Sequence, residues 1–249
     1  MKKKQKNYNL ILGSAIALFM LVFLLVGCFY TPYDPDAMNG VAKFAPPQGT
    51  HLFGCDHFGR DIFSRVMKGT GTTFLVAIAT VALGGGIGIF IGAFTGYFGG
   101  WADEVLMRFN DAVFSFPHIL LALVFIPSFA RITRGEFLAQ REMDYVKSAR
   151  LMGVSHLRIM FVHIFPNTLP AVLSMAAIGF NNAVLAEAGM SYLGIGVQPP
   201  DASLGRMLSE AQTYLMSAPW CVLFPGLAII LLALGFSLLS DGLLKKGGR

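Results

Sequence analysis

The 249-residue chain is 55% hydrophobic and only 13% charged, with a mean hydropathy of +0.62 and a net charge of +5. Soluble domains carry roughly 25% charged residues, so this composition excludes an ordinary soluble protein and points to an all-α polytopic membrane protein. The positive charge implies no nucleic-acid partner, because Lys2, Lys3, Lys4 and Lys6 flank the first apolar block as positive-inside residues do.

In chain order, Leu10–Tyr30 is long enough to cross a bilayer. Leu25-Val26-Gly27-Cys28 has the look of a lipoprotein cleavage signal. Bulky Phe29 and Tyr30 follow it, however, and further spans lie beyond, so a retained helix is expected. Residues 31–71 are polar and broken by Pro32, Pro35, Pro46 and Pro47, which predicts a structured external loop. Thr72–Phe98 is the second span. Gly84, Gly88, Gly92 and Gly96 recur every four residues there and predict close helix packing along one face.

Further spans are expected over Pro166–Ala186 and Pro219–Leu239. The Gly- and Pro-rich stretch 187–218 between them reads as an external loop with a short helix around Leu204–Leu215. A first division falls between residues 1–71 and residues 72–249, with a cytoplasmic loop at about 131–165 in the second part.

The block Val113–Ala130 raises a counting problem. With a cytoplasmic N-terminus, a single crossing here would put Arg131, Arg134, Arg141, Lys147, Arg150 and Arg158 outside, against the positive-inside bias. Either the block is a re-entrant hairpin turning near Pro117 to Pro127, or a stretch that makes two crossings is missing. The second reading is preferred, because a hairpin of this length leaves backbone groups unpaired in lipid unless other helices cover it.

One segment stands apart. Asp144-Tyr-Val-Lys-Ser-Ala-Arg-Leu-Met-Gly153 is charged and amphipathic, ends on a glycine, and is followed by His163-Ile-Phe-Pro-Asn167. Tyr145, Ala149 and Met152 can share one helical face, with Lys147 and Arg150 on others. Gly153 permits a backbone break, and Pro166 suits the first turn of the next helix.

With Thr31-Pro-Tyr-Asp-Pro35, His51-Leu-Phe-Gly-Cys-Asp-His-Phe-Gly-Arg-Asp61, Gly96-Tyr-Phe-Gly-Gly-Trp-Ala-Asp103 and Ser191-Tyr-Leu-Gly-Ile-Gly-Val-Gln-Pro-Pro200 in this order, the chain resembles the C-type permease of binding-protein-dependent ABC importers for dipeptides, oligopeptides and nickel. The resemblance implies that 144–167 is the coupling loop that docks on an ATPase, with Asp144, Tyr145, Lys147, Ser148, Ala149, Met152, Gly153, His163, Pro166 and Asn167 as its marked positions. It also implies a second permease subunit, two ATP-hydrolysing subunits, an extracytoplasmic solute-binding protein, and a bacterial or archaeal cell membrane. The chain departs from the family in two places: Lys147-Ser148-Ala149 stands where Glu-Ala-Ala is usual, and Cys55 where threonine is usual. In the family, the text around Phe114–Leu123 opens the third span and that around Phe125–Gly135 closes the fourth, so the preferred deletion fuses two half-spans.

No catalytic Ser/His/Asp set, paired carboxylates or phosphate-binding loop occurs, so no enzyme activity, cofactor or metal is expected. His51, Cys55, Asp56, His57 and Asp61 include metal-ligand types, but glycines and aromatics interrupt them, and the three cysteines show no C-x-x-C spacing. Glu187, near the end of a membrane helix, is either a group in the translocation path or a hydrated group at headgroup level. The resulting expectation is a permease for di- or oligopeptides. The alternatives are a nickel or metal-chelate importer, a transport-incompetent deletion variant, and a stand-alone secondary transporter.

Overall fold

A computed structural model of the protein describes residues 8–100, 103–106, 108 and 121–247. They fold as helices: α1 (Tyr8–Phe29), α2 (Ile62–Phe98), α3 (Leu121–Arg141), α4 (Asp144–Leu151), α5 (Phe165–Tyr192), α6 (Leu204–Ala211) and α7 (Trp220–Gly247). A single turn at His156–Arg158 and a π-turn at Ile159–Ile164 lead into α5. Among the described residues, four helical stretches are long and apolar enough to cross a membrane: Tyr8–Phe29, Ile62–Phe98, His156–Tyr192 and Trp220–Gly242.

The chain divides into two compact units, Met1–Ala77 with Asn181–Arg249, and Ile78–Phe180. In the first unit, α1 and α7 pack antiparallel. Gly13 lies against the backbone of Leu238 and Leu239, Gly235 against Ile16 and Ala17, and Gly242 against Leu10. Absent side chains bring the backbones together, which is how helices gain contact where lipid removes the hydrophobic drive. The outer faces expose Ile11, Leu18, Val22, Leu227 and Ile230, as lipid-facing helices do. Ile62, Val66, Leu204, Met207 and Cys221 form an apolar core in the same unit.

In the second unit, α2 packs on α3. Gly88 faces Ile126 and Ala130, Gly92 faces Ala130 and Arg134, and Gly96 faces Arg134 and Phe137. Gly84 is buried further up the same helix. The contacts advance in the same direction on both helices, so α2 and α3 run parallel. Arg141 therefore ends beside Tyr97, whose carbonyl accepts a hydrogen bond from Arg141 Nη1 at 3.4 Å.

Several sequence expectations change here. The second long helix begins at Ile62, ten residues before Thr72, and its 37 residues measure about 55 Å, more than the ~30 Å hydrocarbon core. Pro127 sits inside continuous α3, so no turn occurs at that end of the proposed hairpin. Pro117, residues 113–120, Trp101, Met107 and the N-terminal lysines lie outside the described residues. Helix α5 runs on to Tyr192, so Glu187 lies within a helix. Pro166 follows a wide π-turn, in which Phe165 N–H donates to Met160 C=O. That widening supplies the room that a proline ring needs in a continuing helix.

Candidate functional site

The charged segment of the second unit folds as a short helix, a break and a single turn. Helix α4 covers Asp144–Leu151, and Asp144 places an anion in its first turn. Val154 N–H donates to Ala149 C=O at 3.1 Å and Gly153 N–H to Arg150 C=O at 3.0 Å, the paired closure of a helix end with glycine at positive φ (+73°). Val146 and Ala149 are the buried face, packed with Ala93, Tyr97, Phe137, Ile159 and Met160. The expected face of Tyr145, Ala149 and Met152 does not form. The helix ends at Leu151, so Met152 lies past it and points outward, 75% exposed.

Leu151 (90% exposed) and Leu157 also project into solvent, giving the segment an apolar tip. Lys147 stands beside it, 3.8 Å from Asp144, and Ser148 is exposed. Tyr145 hydroxyl donates to Gln140 Oε1 at 2.9 Å and accepts from Asn167 Nδ2 at 3.4 Å. Asn167 Nδ2 also donates to the His163 carbonyl at 2.8 Å. Tyr145, His163 and Asn167 are thereby tied together across the segment, while Pro166 stays exposed. Arg134 and Asp103 form a bidentate pair at 2.5 and 2.6 Å.

The first unit holds a charged cluster around the start of α2. Asp61 precedes α2 as its cap, accepting from Ser64 N–H at 2.8 Å and Ser64 Oγ–H at 2.7 Å. Arg60 donates to Asp56 at 2.6 Å and to Glu210 of α6 at 2.8 Å. Arg65, only 1% exposed, donates to the Pro35 carbonyl at 3.1 Å and lies 3.9 Å from both Asp56 and Glu210. Gly59, at φ +77°, lies against the Asn39 carbonyl, where a Cβ would collide.

Asp56, His57 and Glu210 bring donor atoms within 4.8 Å of one another. Both carboxylates are already bound to guanidinium groups, and burial lowers the His57 pKa without making a further anion available. Burial, with Asp61 and Asp56 nearby, pushes the Cys55 thiol up to about 11, so it stays protonated and is a poor metal ligand at neutral pH. The arrangement serves as a clasp between a loop and a helix. Sequence reasoning missed it because Arg60 and Glu210 are 150 residues apart.

Glu187 is 3% exposed, so its carboxylate is packed within the protein. Ser191 Oγ–H donates to its Oε1 at 2.7 Å and in turn accepts from Val197 N–H at 3.2 Å, so the carboxylate helps to fasten the following loop.

Residues 119–246 match the family described as "Binding-protein-dependent transport system inner membrane component". The probable D,D-dipeptide transport system permease protein DdpC of Escherichia coli K12 is 33% identical over 261 positions, covering 95% of this chain and 88% of the relative. The dipeptide permease DppC of Haemophilus influenzae is 33% identical, with 96% and 90% covered. The glutathione permease GsiD of Pectobacterium atrosepticum is 35% identical, with 92% and 84% covered. An alignment of 261 positions that takes in 95% of a 249-residue chain must pass over positions of the relative that have no counterpart here. A chain with four candidate spans among its described residues and this near end-to-end likeness belongs to the inner-membrane components of binding-protein-dependent transport systems: it is a multi-pass permease subunit that works with a binding protein and an ATPase, not an enzyme.

Proposed function

We propose that the chain is the peptide-translocating permease of such an importer, with its N-terminus in the cytoplasm and residues 144–167 docked on an ATPase subunit. A second permease subunit, a second ATPase and an extracytoplasmic solute-binding protein complete the assembly. ATP-driven closure of the ATPases moves the docked segment and shifts the permease pair between outward- and inward-facing states. The dipeptide and glutathione permeases among its relatives favour a short peptide as cargo.

The observation that carries this reading is the segment's apolar tip. Leu151, Met152 and Leu157 are exposed, yet Val146 and Ala149 fix the segment to a packed core. Burying each tip side chain in a partner's cleft is worth ~1.5–3 kcal/mol before the cost of association. Replacing both Leu151 and Met152 by Asp is expected to cut the ATPase recovered with affinity-purified permease at least tenfold. Unchanged recovery would sink the docking assignment.

The orientation draws support from the parallel course of α2 and α3. With the N-terminus inside, α1 runs outward and α2 inward, so the end of α2 is cytoplasmic. Arg141 beside Tyr97 then leaves the basic segment inside as well, which removes the conflict with the positive-inside bias. The gapped alignment supports the loss of a stretch of chain, and placing that loss before α3 makes α3 the closing half of a fourth span. In a protein stripped of its native cysteines, Ser148→Cys is expected to resist a membrane-impermeant thiol reagent in intact cells and to react once the cells are opened. Labelling from outside would overturn the orientation.

A further inference from the structure

The polar contacts between the docking segment and α2 centre on one buried residue. Tyr97 lies one residue from the end of α2 and is only 4% exposed. Its hydroxyl and His156 Nδ1, at the start of the single turn, are 2.8 Å apart, in hydrogen-bond contact. The Arg150 guanidinium, in the last turn of α4, lies over its ring at 5.2 Å from the centroid. Its carbonyl accepts from Arg141 at the end of α3. Three consecutive elements thus meet one tyrosine, and its polar contacts fall on both sides of the Gly153 break.

We propose that Tyr97 is a positioning residue for energy coupling: it transmits displacement of the docked segment to α2. This rests on the docking role proposed above. A surface segment can move a membrane helix only through contacts that survive the movement. A directional hydrogen bond and a stacked cation hold register through such a movement. Helix α2 then carries the displacement onward, because its glycine face is in backbone contact with α3 and cannot slip by fractions of an ångström. Tyr97 is buried away from the apolar tip, so its loss leaves the docking surface itself intact.

The test uses the complete transporter, with its own second permease, ATPases and binding protein, in proteoliposomes. The readouts are ATPase retained per permease, and the stimulation of ATP hydrolysis by saturating loaded binding protein, normalised to assembled complex. Tyr97→Phe keeps the ring and removes the bond to His156; stimulation is expected to fall about fivefold, the weight of one net hydrogen bond. Tyr97→Leu also removes the cation–ring contact and is expected to lower it more than tenfold, with ATPase retention unchanged in both. A purely structural role would lower the yield of complex but leave the stimulation per complex intact, and that result overturns the proposal. Should Tyr97→Leu fail to assemble, Tyr97→Phe decides alone. Wild-type permease that retains no ATPase would overturn the docking reading and this inference with it, whereas retained ATPase with full stimulation overturns this inference only.

Discussion

Gly92→Leu is expected to abolish accumulation of folded protein, while Gly86→Ala on the same helix leaves it intact. A Cβ at Gly92 would collide with the Ala130 carbonyl and lie 2.8 Å from Thr133 Cβ and 2.9 Å from Arg134 N. Two of these three atoms are backbone of α3, and backbone cannot rotate away as a side chain can. Relief requires α3 to move off α2, and that breaks the neighbouring fits at Gly88 and Gly96, where a Cβ would stand 2.6 Å from the carbonyls of Ile126 and Arg134. Overpacking at one site costs about 1–3 kcal/mol; a leucine spread over three rigid contacts exceeds that range. At Gly86 a Cβ meets nothing within 4 Å, and alanine is the better helix former by ~1 kcal/mol. Size-exclusion profiles and thermal unfolding of the detergent-solubilised variants check both. Equal behaviour of the two substitutions would show that glycine content, not this contact line, governs the helix.

The contrast between Gly92 and Gly86 also shows how far the sequence could be read. A four-residue glycine spacing marks a face, because small residues at helical period have few other uses in an apolar span. It does not say which helix lies on that face or in which direction it runs, since that information sits in residues 126–137 and their backbone. The extra helical turns at Ile62–Gly71 stayed hidden for another reason. Ser64, Arg65, Lys68 and Thr70 make the stretch polar, and their partners are Asp61, Asp36 and backbone carbonyls brought in by the fold. Hydropathy counts a neutralised charge as an exposed one. The break at Gly153 was legible, because few residues other than glycine adopt positive φ without cost. The buried face of α4 was not, because an eight-residue helix offers too few turns to fix which side is covered.

That hidden pairing of charges sets the second large effect. Arg60→Met is expected to lower the thermal midpoint of the solubilised protein by roughly 10 °C, given the ~3–5 kcal/mol cost of breaking a buried ion pair and ~2–4 °C per kcal/mol at this size. Arg60 binds Asp56 and Glu210 at 2.6 and 2.8 Å, and its side chain is only 7% exposed. Methionine fills much the same volume, so the loss is of charge and donors, not packing. Asp56 would keep the backbone N–H groups of Phe58 and residue 60, at 2.8 and 3.0 Å, but its remaining cation, Arg65, is 3.9 Å away, whereas Glu210 would retain Arg206 at 3.0 Å. Asp56 is therefore the group left without a close counter-charge, and Asp56→Asn placed on top of Arg60→Met is expected to recover part of the midpoint by removing that charge. The same Asp56→Asn alone should destabilise, since it leaves Arg60 short of a counter-charge. Opposite signs for one substitution in two backgrounds cannot arise from packing. If Asp56→Asn lowers the midpoint by the same amount in both, the two side chains act independently, and the clasp between loop and helix is held by its apolar core instead.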